Sequence, residues 1–337
     1  MHKSDKPLQK KKYLVFGDLC VDIFMGVDKY PDIGGDGNAS ELRRQIGGSA
    51  TNTAIALAHL GNCPSLVTHI GSDDQSKVVS DDLVKEGVNV EYMVVEKEVD
   101  TGLTLLIVTP DGERTMFTYR GANALLQPDE INPALFNDIS MIHISGYALL
   151  KPPQSDAVLK AIEIASQNNI GVSLDLGVDP AYKVKSTILS ILPKIKLLVL
   201  GQGEAEALSG KTGIDPAIDF LIDCGVDTIA MKLGKQGCLI ASKDSRDIID
   251  GFNVDVVDTT GAGDAFSAGM IYGISNGWKY PIAGLLANAM GAIAVTHWGA
   301  GKLMPGKKDV LEFLRENISV KNQTNSLEIM HKLGFID

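Results

Sequence analysis

The hydrophobic positions of this chain repeat with two periods, one of two residues and one of three to four. Three- and four-residue spacing predicts helices over 54–60, 75–85, 155–167, 180–192, 204–208 and 216–224. Short apolar runs predict strands at 13–16, 23–27, 65–70, 141–144, 171–175, 196–200, 228–232 and 238–241. Alternation of the two kinds of element predicts an α/β fold with a mostly parallel sheet, covered on both faces.

The segment 90–120 departs from this alternation. Its apolar residues alternate over 103–107, a turn is predicted at 110–113, and a partner strand follows over 115–119. The segment 28–40 is rich in Gly, Asp and Pro and predicts a loop. The hairpin is either a separate small sheet that packs over a site or an edge extension of the main sheet.

Near the C-terminus, two glycines lie where a predicted strand turns into a predicted helix. The alternation of 252–256 predicts the strand, and apolar spacing predicts the helix over 263–275. The first N–H groups of a helix have no internal partner and favour negative charge, and glycines let an anion approach closely. Gly261 and Gly263 therefore predict a phosphate site. A second helix, predicted over 281–296, is rich in Ala and Gly, so a neighbouring helix or a flat ligand packs against it.

Asp264 follows these glycines on the first helical turn. It could accept the proton of a substrate hydroxyl that attacks a phosphoryl group held by the same turn. Alternatively, it is an ordinary cap of the helix. The seven residues by themselves leave both interpretations open.

Composition excludes several classes of protein. The 337 residues carry a net charge of −11 with only 6% aromatic residues, which does not suit a nucleic-acid binder. The four cysteines are scattered without metal-ligand spacing, as expected in a reducing cytoplasm. We find no secretory signal and no apolar stretch long enough to cross a bilayer, so we expect a cytoplasmic protein without membrane association.

Two motifs, far apart in the chain, resemble those of the ribokinase-like (PfkB) carbohydrate kinases. They are GGSATNTA at 47–54 and DTTGAGDAF at 258–266. The resemblance covers residues 12–317 and implies a three-layer α/β/α fold with a small β-sheet lid from about 18–46 and 90–120. It implies a flexible tail at 1–12, a kinase domain at 13–317 and a C-terminal extension at 318–337.

The resemblance also implies an activity and its catalytic residues. An ATP-dependent kinase of this family would phosphorylate a hydroxyl of a small sugar of the ribose, fructose or 2-keto-3-deoxygluconate type. Asp264 would be the general base, and Gly261, Ala262 and Gly263 would form the anion hole for the γ-phosphate.

Residues that would bind the acceptor come mainly from the N-terminal motif and the lid. Cys20 stands where ribokinases have Asn, so the resemblance does not specify ribose. Arg120 could pair with a substrate carboxylate or face solvent, and Ser145 ends a predicted strand at the ligand-bearing edge of the sheet. The acceptor candidates are Cys20, Asp22, Gly47, Gly48, Asn52, Arg120 and Ser145.

Residues that would bind the nucleotide and cations come from the second half of the chain. Glu204 would organise Mg²⁺ through water, although Gly201 replaces the Asn of the family's Asn-x-x-Glu segment. Asp258 and Thr260, with the loop 296–301, would bind a monovalent cation such as K⁺. The nucleotide candidates are Gly201, Glu204, Lys232, Gly234, Gly237 and Asn288.

Two other functions are also compatible with the sequence. A nucleoside kinase of the same family would use the same catalytic residues, and a non-catalytic sugar or nucleotide sensor could share the fold. The altered segment at Gly201 favours a sensor, whereas the intact motif around Asp264 favours an enzyme. Edge strands in the lid also suggest a homodimer.

Overall fold

The computed structural model describes residues 10–110, 114–319 and 322–335. Most of the predicted tail at 1–12 and most of the predicted turn at 110–113 lie outside these residues. The strands are β1 Lys12–Phe16, β2 Cys20–Val27, β3 Ala39–Gly47, β4 Cys63–Ile70, β5 Met93–Val95, β6 Gly102–Val108, β7 Arg114–Tyr119, β8 Ile139–Ser145, β9 Gly171–Asp175, β10 Leu197–Gly201, β11 Thr228–Lys232, β12 Cys238–Ala241 and β13 Arg246–Ile249. The α-helices are α1 Ser49–His59, α2 Asp74–Lys85, α3 Gln154–Gln167, α4 Val178–Lys183, α5 Lys185–Ile191, α6 Gln202–Ser209, α7 Ile214–Asp223, α8 Ala262–Ser275, α9 Tyr280–Ala294, α10 Lys307–Glu316 and α11 Gln323–Lys332.

A nine-stranded sheet forms the centre of the molecule. Its strand order is β13-β12-β11-β10-β9-β8-β1-β4-β5. The pairs from β11 to β5 are parallel, and only β12 and β13 run antiparallel to their neighbours. The predicted mostly parallel sheet is therefore confirmed, and the carboxyl ends of its parallel strands meet at one edge.

Helices cover both faces of this sheet. On β1, Tyr13 and Val15 belong to a core with α1, α8 and α9, whereas Leu14 and Phe16 belong to a second core with α3 and α7. All four side chains are fully buried, because successive residues of a strand point to opposite faces. The near-continuous apolar runs of the sequence are thus strands buried on both sides, and the predicted three layers are confirmed.

A separate four-stranded sheet lies beside the large one, as the resemblance implied. Its strand order is β3-β2-β6-β7. Of the stretch 90–120, strand β5 pairs with β4 in the large sheet, so only the part from β6 onward contributes to the small sheet. Strand β3 occupies the end of the stretch 28–47, where the sequence predicted a loop as far as residue 40. Its first six residues are exposed, so they carry no apolar alternation.

Two predicted elements differ in the structure. Residues 252–256 form no strand. Phe252, Val254 and Val256 all line a cleft, and Phe252 also packs edge-on against Phe313, with ring centroids 4.9 Å apart. The predicted helix over 180–192 is split at Val184, whose φ of −130° is not helical and separates α4 from α5.

Helices α8 and α9 pack closely against each other. A Cβ on Gly269 would lie 2.7 Å from the Cα of Ala287, and one on Gly273 would lie 2.5 Å from the Cβ of Ala283. Small residues therefore let α8 and α9 approach each other, which explains the Ala- and Gly-rich composition. Helix α11 buries Ile329 and Met330 in the same core. No helix among the described residues is both long and apolar enough to span a membrane.

Candidate active site

Asp264 lies on the first turn of α8, where the N-terminus of α1 meets it. Its Oδ1 accepts a hydrogen bond from Ser49 Oγ at 2.8 Å, and its Oδ2 accepts one from Asn52 Nδ2 at 2.7 Å. The two donors are 215 and 212 residues away in the chain. Asn52 is itself oriented, because its Oδ1 accepts from the N–H of Gly301 at 3.0 Å. The carboxylate is therefore held in one orientation and does not cap its own helix by a side-chain hydrogen bond.

The environment of Asp264 raises its pKa to about 6, from a usual value of 3.8. Burial is the main cause, and the negative charge of Asp175 adds to it. The hydrogen bonds from Asn52 and Ser49 and the positive charge of Lys232 act in the opposite direction. A carboxylate with a pKa close to neutrality is well matched to accepting a proton at physiological pH.

The turn before Asp264 needs glycine for two physical reasons. Gly261 has a φ of +76°, in the left-handed region, and a Cβ there would lie 2.4 Å from Met304 Cε and 2.8 Å from Ala300 Cβ. A Cβ on Gly263 would lie 3.3 Å from Lys232 Nζ. The three backbone units at 261–263 thus open α8 beside an ammonium group, which is a favourable arrangement for an anion.

Lys232 ends β11 and joins a buried network. Its Nζ donates to Asp175 Oδ1 at 3.0 Å, and Asp175 Oδ2 accepts from Ser267 Oγ at 2.8 Å. Burial by itself would lower the pKa of Lys232, but the carboxylates of Asp175 and Glu204 raise it above its usual value. The ammonium group is therefore charged at neutral pH.

Asp22 is the second unusual carboxyl group near the site. It is 6% exposed, and burial raises its pKa to about 7. A hydrogen bond with Thr104 lowers this pKa, whereas the negative charge of Asp264 raises it further. A Cβ on Gly47 would lie 2.0 Å from Asp22 Oδ2, so only glycine fits opposite this carboxyl group. The structure brings Asp22, Gly47 and Asp264 into one region.

Gly48, Cys20 and Ser145 lie around the same region with different environments. Gly48 has a φ of +98°, and a Cβ there would lie 2.3 Å from the carbonyl oxygen of Asp18. Cys20 is buried, and burial raises the pKa of its thiol, with the charges of Asp18 and Asp22 acting the same way. Ser145 is 1% exposed and packs against Gly17.

Arg120 lies in an ion pair with Asp18 and does not extend freely into solvent. Its Nε and Nη2 donate to the two carboxylate oxygens of Asp18 at 2.8 and 2.6 Å, and Nη2 also donates to Gln154 Oε1 at 2.5 Å. The bidentate pair matches the planar guanidinium to the carboxylate. It fastens the end of β7 to the start of the lid and neutralises the charge of Arg120.

Glu204 lies on the first turn of α6, at the same edge of the sheet. Its Oε2 accepts from the N–H of Gly201 at 2.8 Å, which closes the first turn of the helix. Burial raises the pKa of Glu204, while Lys232 and this hydrogen bond lower it. A Cβ on Gly201 would meet only the Glu204 carboxyl group, at 3.9 Å, so the position is open. Among the described residues no cluster of three or more metal-ligating side chains is found.

A cleft of about 410 Å³ opens beside the glycine turn at 261–263. Gly237 has a φ of +98°, and a Cβ there would lie 2.1 Å from the carbonyl oxygen of Ile249. Asn288 Nδ2 donates to the carbonyl oxygens of Ile249 and Asp250, both at 3.1 Å, so this side chain holds the turn that forms the cleft wall. The side chains and backbone that line it are Lys232, Gly234, Lys235, Gly237, Gly251, Phe252, Asn253, Val254, Val256, Thr259, Ala262, Gly263, Phe266, Asn288, Gly291, Ala292 and Val295.

Asp258 connects the motif to the loop at 296–301. Its Oδ1 accepts from the N–H and hydroxyl of Thr260 at 3.0 and 2.9 Å, and its Oδ2 accepts from the N–H of Gly299 at 2.8 Å. Gly301 in the same loop binds Asn52. The predicted cation-site residues thus lie next to the residue that orients Asp264.

The structure also identifies residues to which the sequence assigned no role. Ser49 lies inside the N-terminal motif, and its position two residues from Gly47 was the only available clue. Asp18 and Thr104 are recognised only by their partners, Arg120 and Asp22. Asp175 ends a predicted strand, and its contact with Lys232 could not be read from spacing.

Together, the parallel sheet, the lid and the glycine turn with its carboxylate define a phosphotransferase that acts on an alcohol group. The model of the pfkB family carbohydrate kinases matches residues 10–307. The chain belongs to this family, and it is a sugar kinase.

Relatives and solved structures agree with this membership. Probable fructokinase-3 of Arabidopsis thaliana is 31% identical over 334 residues, which cover 94% of this chain and 94% of that protein. Ribokinase from Thermotoga maritima superposes with a TM-score of 0.79 at 26% identity, covering 91% of this chain and all of that one. An E. coli protein in complex with ATP and Mg²⁺ superposes with a TM-score of 0.81 at 23% identity, covering 92% of this chain and all of that one. The ribokinase-like fold is therefore established.

Proposed function

We propose that this protein transfers the γ-phosphate of Mg-ATP to a hydroxyl group of a small neutral sugar, with Asp264 as general base. The observation that supports this most directly is the fixed orientation of Asp264 by Ser49 and Asn52. The carboxylate lies beside both the buried Asp22 region and the donor cleft. A sensor would need no base with a pKa near neutrality.

The proposed reaction has one proton transfer and one phosphoryl transfer. Asp264 takes the proton of the acceptor hydroxyl while its oxygen forms a bond to the γ-phosphorus. The bond between that phosphorus and the β,γ-bridging oxygen breaks, and ADP leaves with the electron pair. Gly261, Ala262 and Gly263 offer backbone N–H groups to the negative charge that develops on the transferred group.

The donor would occupy the cleft of about 410 Å³ between the turn at 234–237 and α9. One neighbour with the same fold was solved with ATP and Mg²⁺, which supports Mg-ATP as the donor. Lys232, Gly234, Gly237 and Asn288 would contact the nucleotide or shape its site. Gly201 belongs to the same edge of the sheet.

Glu204 would hold Mg²⁺ through water. A carboxylate oxygen suits a hard cation that keeps several waters and is otherwise bound by the phosphates of its substrate. The bound ion would neutralise phosphate charge. Asp258, Thr260 and the loop 296–301 would bind a monovalent cation such as K⁺.

The acceptor would be held by Asp22, Gly47, Gly48, Asn52 and Cys20. Asp22 suits sugar hydroxyls because a carboxylate accepts two hydrogen bonds. A neutral sugar is favoured over a sugar acid because Asp18 already neutralises Arg120, the candidate for a substrate carboxylate. The relative named as a probable fructokinase agrees with a neutral acceptor. Ser145, at the end of β8, would lie beneath the acceptor site.

We also propose that residues 13–317 form the kinase unit, that 318–337 is an extension docked on it, and that the lid forms a homodimer. The directly paired Ile23, Leu105 and Phe117 line one face of the lid sheet, and Phe117 is 54% exposed. A second copy could bury this face. Cytoplasmic location is supported by the four free cysteines.

The deciding experiment is an ADP-release screen with Mg-ATP, with and without K⁺. The acceptors are ribose, fructose, 2-keto-3-deoxygluconate, fructose 6-phosphate, adenosine and inosine. We expect turnover with a neutral sugar and a loss of about 10²-fold or more in Asp264→Asn. Full activity of that variant would exclude Asp264 as the base. No turnover with any acceptor, although sugar and ATP bind by calorimetry, would favour the sensor that the altered position at Gly201 suggests.

A further inference from the structure

Lys232 and Gly201 are directly paired residues at the ends of the neighbouring strands β11 and β10. Gly201 has no side chain, and a Cβ there would meet nothing nearer than the Glu204 carboxyl group at 3.9 Å. The position at Gly201 is therefore open, and Lys232 itself lines the donor cleft. On its other side, Lys232 Nζ reaches within 3.3 Å of the point where a Cβ on Gly263 would lie.

The ammonium group is held there by a chain of hydrogen bonds from three elements. Ser267 Oγ on α8 donates to Asp175 on β9, and Asp175 accepts from Lys232 Nζ on β11. Ser267 and Asp175 are 0% and 7% exposed, whereas the Lys232 side chain is 24% exposed. The pair is thus fixed from the protein interior and faces the cleft with its cationic end.

A buried ion pair contributes little to stability by itself, because desolvation opposes the attraction between the charges. Lysine carries three donors, and Asp175 takes one of them. The remaining donors lie next to the glycine turn at the start of α8. A positive charge at this position would stabilise negative charge on the phosphoryl group as it is transferred.

We propose that Lys232 is a catalytic residue that contacts the transferred phosphoryl group, and that Asp175 and Ser267 are positioning residues that hold it there. The proposal rests on the proposed kinase reaction and specifies which side chain supplies its positive charge.

The first test uses binding and needs no acceptor. Calorimetry would measure the affinity of the full chain for Mg-ADP and for a Mg complex of the non-hydrolysable β,γ-imido analogue of ATP. We expect Lys232→Met to weaken binding of the analogue by about 10- to 100-fold, the scale of a hydrogen bond to a charged group, with little change for Mg-ADP. Equal weakening of both ligands, or of neither, would overturn the proposal.

The matched control is Lys196→Met. Lys196 and Asp227 form an ion pair just before the opposite ends of the same two strands, far from the cleft residues named above. This variant removes the same charge from the other end of the same pair of strands and should leave both affinities unchanged. A loss in the control equal to that in Lys232→Met would also count against the proposal.

The second test separates positioning from simple structural support. In the presence of an accepted sugar, Lys232→Met should reduce kcat by about 10²-fold, as does removal of an oxyanion donor. Asp175→Asn should reduce kcat less, and it should add little in the Lys232→Met background, since both act through one contact. Additive losses would contradict a positioning role.

The pH profile of the kinase activity is a further measurement, and a purely structural role of Lys232 and Asp175 would leave it unchanged. Charged groups that act on Asp264 are Lys232 on β11, Asp175 on β9 and Asp22 on β2, and Glu204 on α6 acts on Lys232. Because Lys232 lowers and Asp175 raises the pKa of Asp264, the acidic limb should move up in Lys232→Met and down in Asp175→Asn. Shifts in the same direction would overturn the proposal. If no sugar is phosphorylated, the proposed reaction fails in the screen, and the binding test still decides on Lys232.

Discussion

Replacement of Asp22 by Asn should stabilise the ligand-free protein at neutral pH, even though Asp22 is a candidate for binding the acceptor sugar. Burial raises the pKa of this carboxyl group from 3.8 to about 7. The folded state therefore holds a proton that the unfolded state has lost between about pH 4 and pH 7, so the wild type loses stability as pH rises through this range. Asn has no charge to desolvate at any pH.

The magnitude follows from the size of the shift. One pKa unit corresponds to about 1.4 kcal/mol, so full ionisation of Asp22 destabilises the fold by up to about 4 kcal/mol. The amide of Asn must find its own partners beside Thr104 and Gly47, which offsets part of the gain. We expect Asp22→Asn to raise the free energy of unfolding by about 1–3 kcal/mol at pH 8 and by much less at pH 4.5.

Urea denaturation of both proteins at the two pH values, without ligands, measures this difference. Asp223→Asn is the matched control, because Asp223 is an exposed residue of α7. Its effect should be small at both pH values. The reasoning is refuted if the difference between Asp22→Asn and wild type is the same at pH 4.5 and pH 8, or if it falls as pH rises.

Three further predictions concern orientation and packing. Asn52→Ala removes a hydrogen bond that lowers the pKa of Asp264, so the acidic limb of kcat/KM should move up by about one unit; an unchanged limb would exclude this role. Arg120→Met should lower the free energy of unfolding by about 2 kcal/mol, because Asp18 loses its partner in a partly buried pair. Thermal unfolding should show that the double variant Arg120→Met with Asp18→Asn recovers part of the lost stability. Gly47→Ala should reduce kcat/KM by about 10²-fold without unfolding the protein, as circular dichroism can check, since the new methyl group displaces the Asp22 carboxyl group; near-normal kcat/KM would refute this placement.

The sequence was most informative where local physics decides the structure. The spacing of Phe266, Met270 and Ile274 predicted α8 to within one residue of its start, because helix formation depends on neighbours three and four positions away. The apolar runs predicted the parallel strands because both faces of the sheet are buried. The glycines at 261 and 263 predicted an anion-binding turn from backbone chemistry, and the two motifs indicated the family.

Local pattern failed where a side chain's environment comes from another part of the chain. Val254 and Val256 alternate as in a strand but line a cleft, and Val184 interrupts a helix that composition would continue. The sequence did not predict strand β3, because its exposed residues show no apolar alternation. In each case tertiary contacts, which a window of sequence does not contain, decided the outcome.

The chemistry of the site depends on the tertiary structure in the same way. The sequence determined that Asp264 follows a glycine turn at a helix start. Only the fold brings Ser49 and Asn52, more than 200 residues away, to its two oxygens, and only burial moves its pKa toward neutrality. The contacts of Lys232 with Asp175 and of Arg120 with Asp18 likewise join distant strands. Hydrogen-bond partners and desolvation are properties of packed space, so the sequence specifies the chemical groups and the fold decides which of them meet.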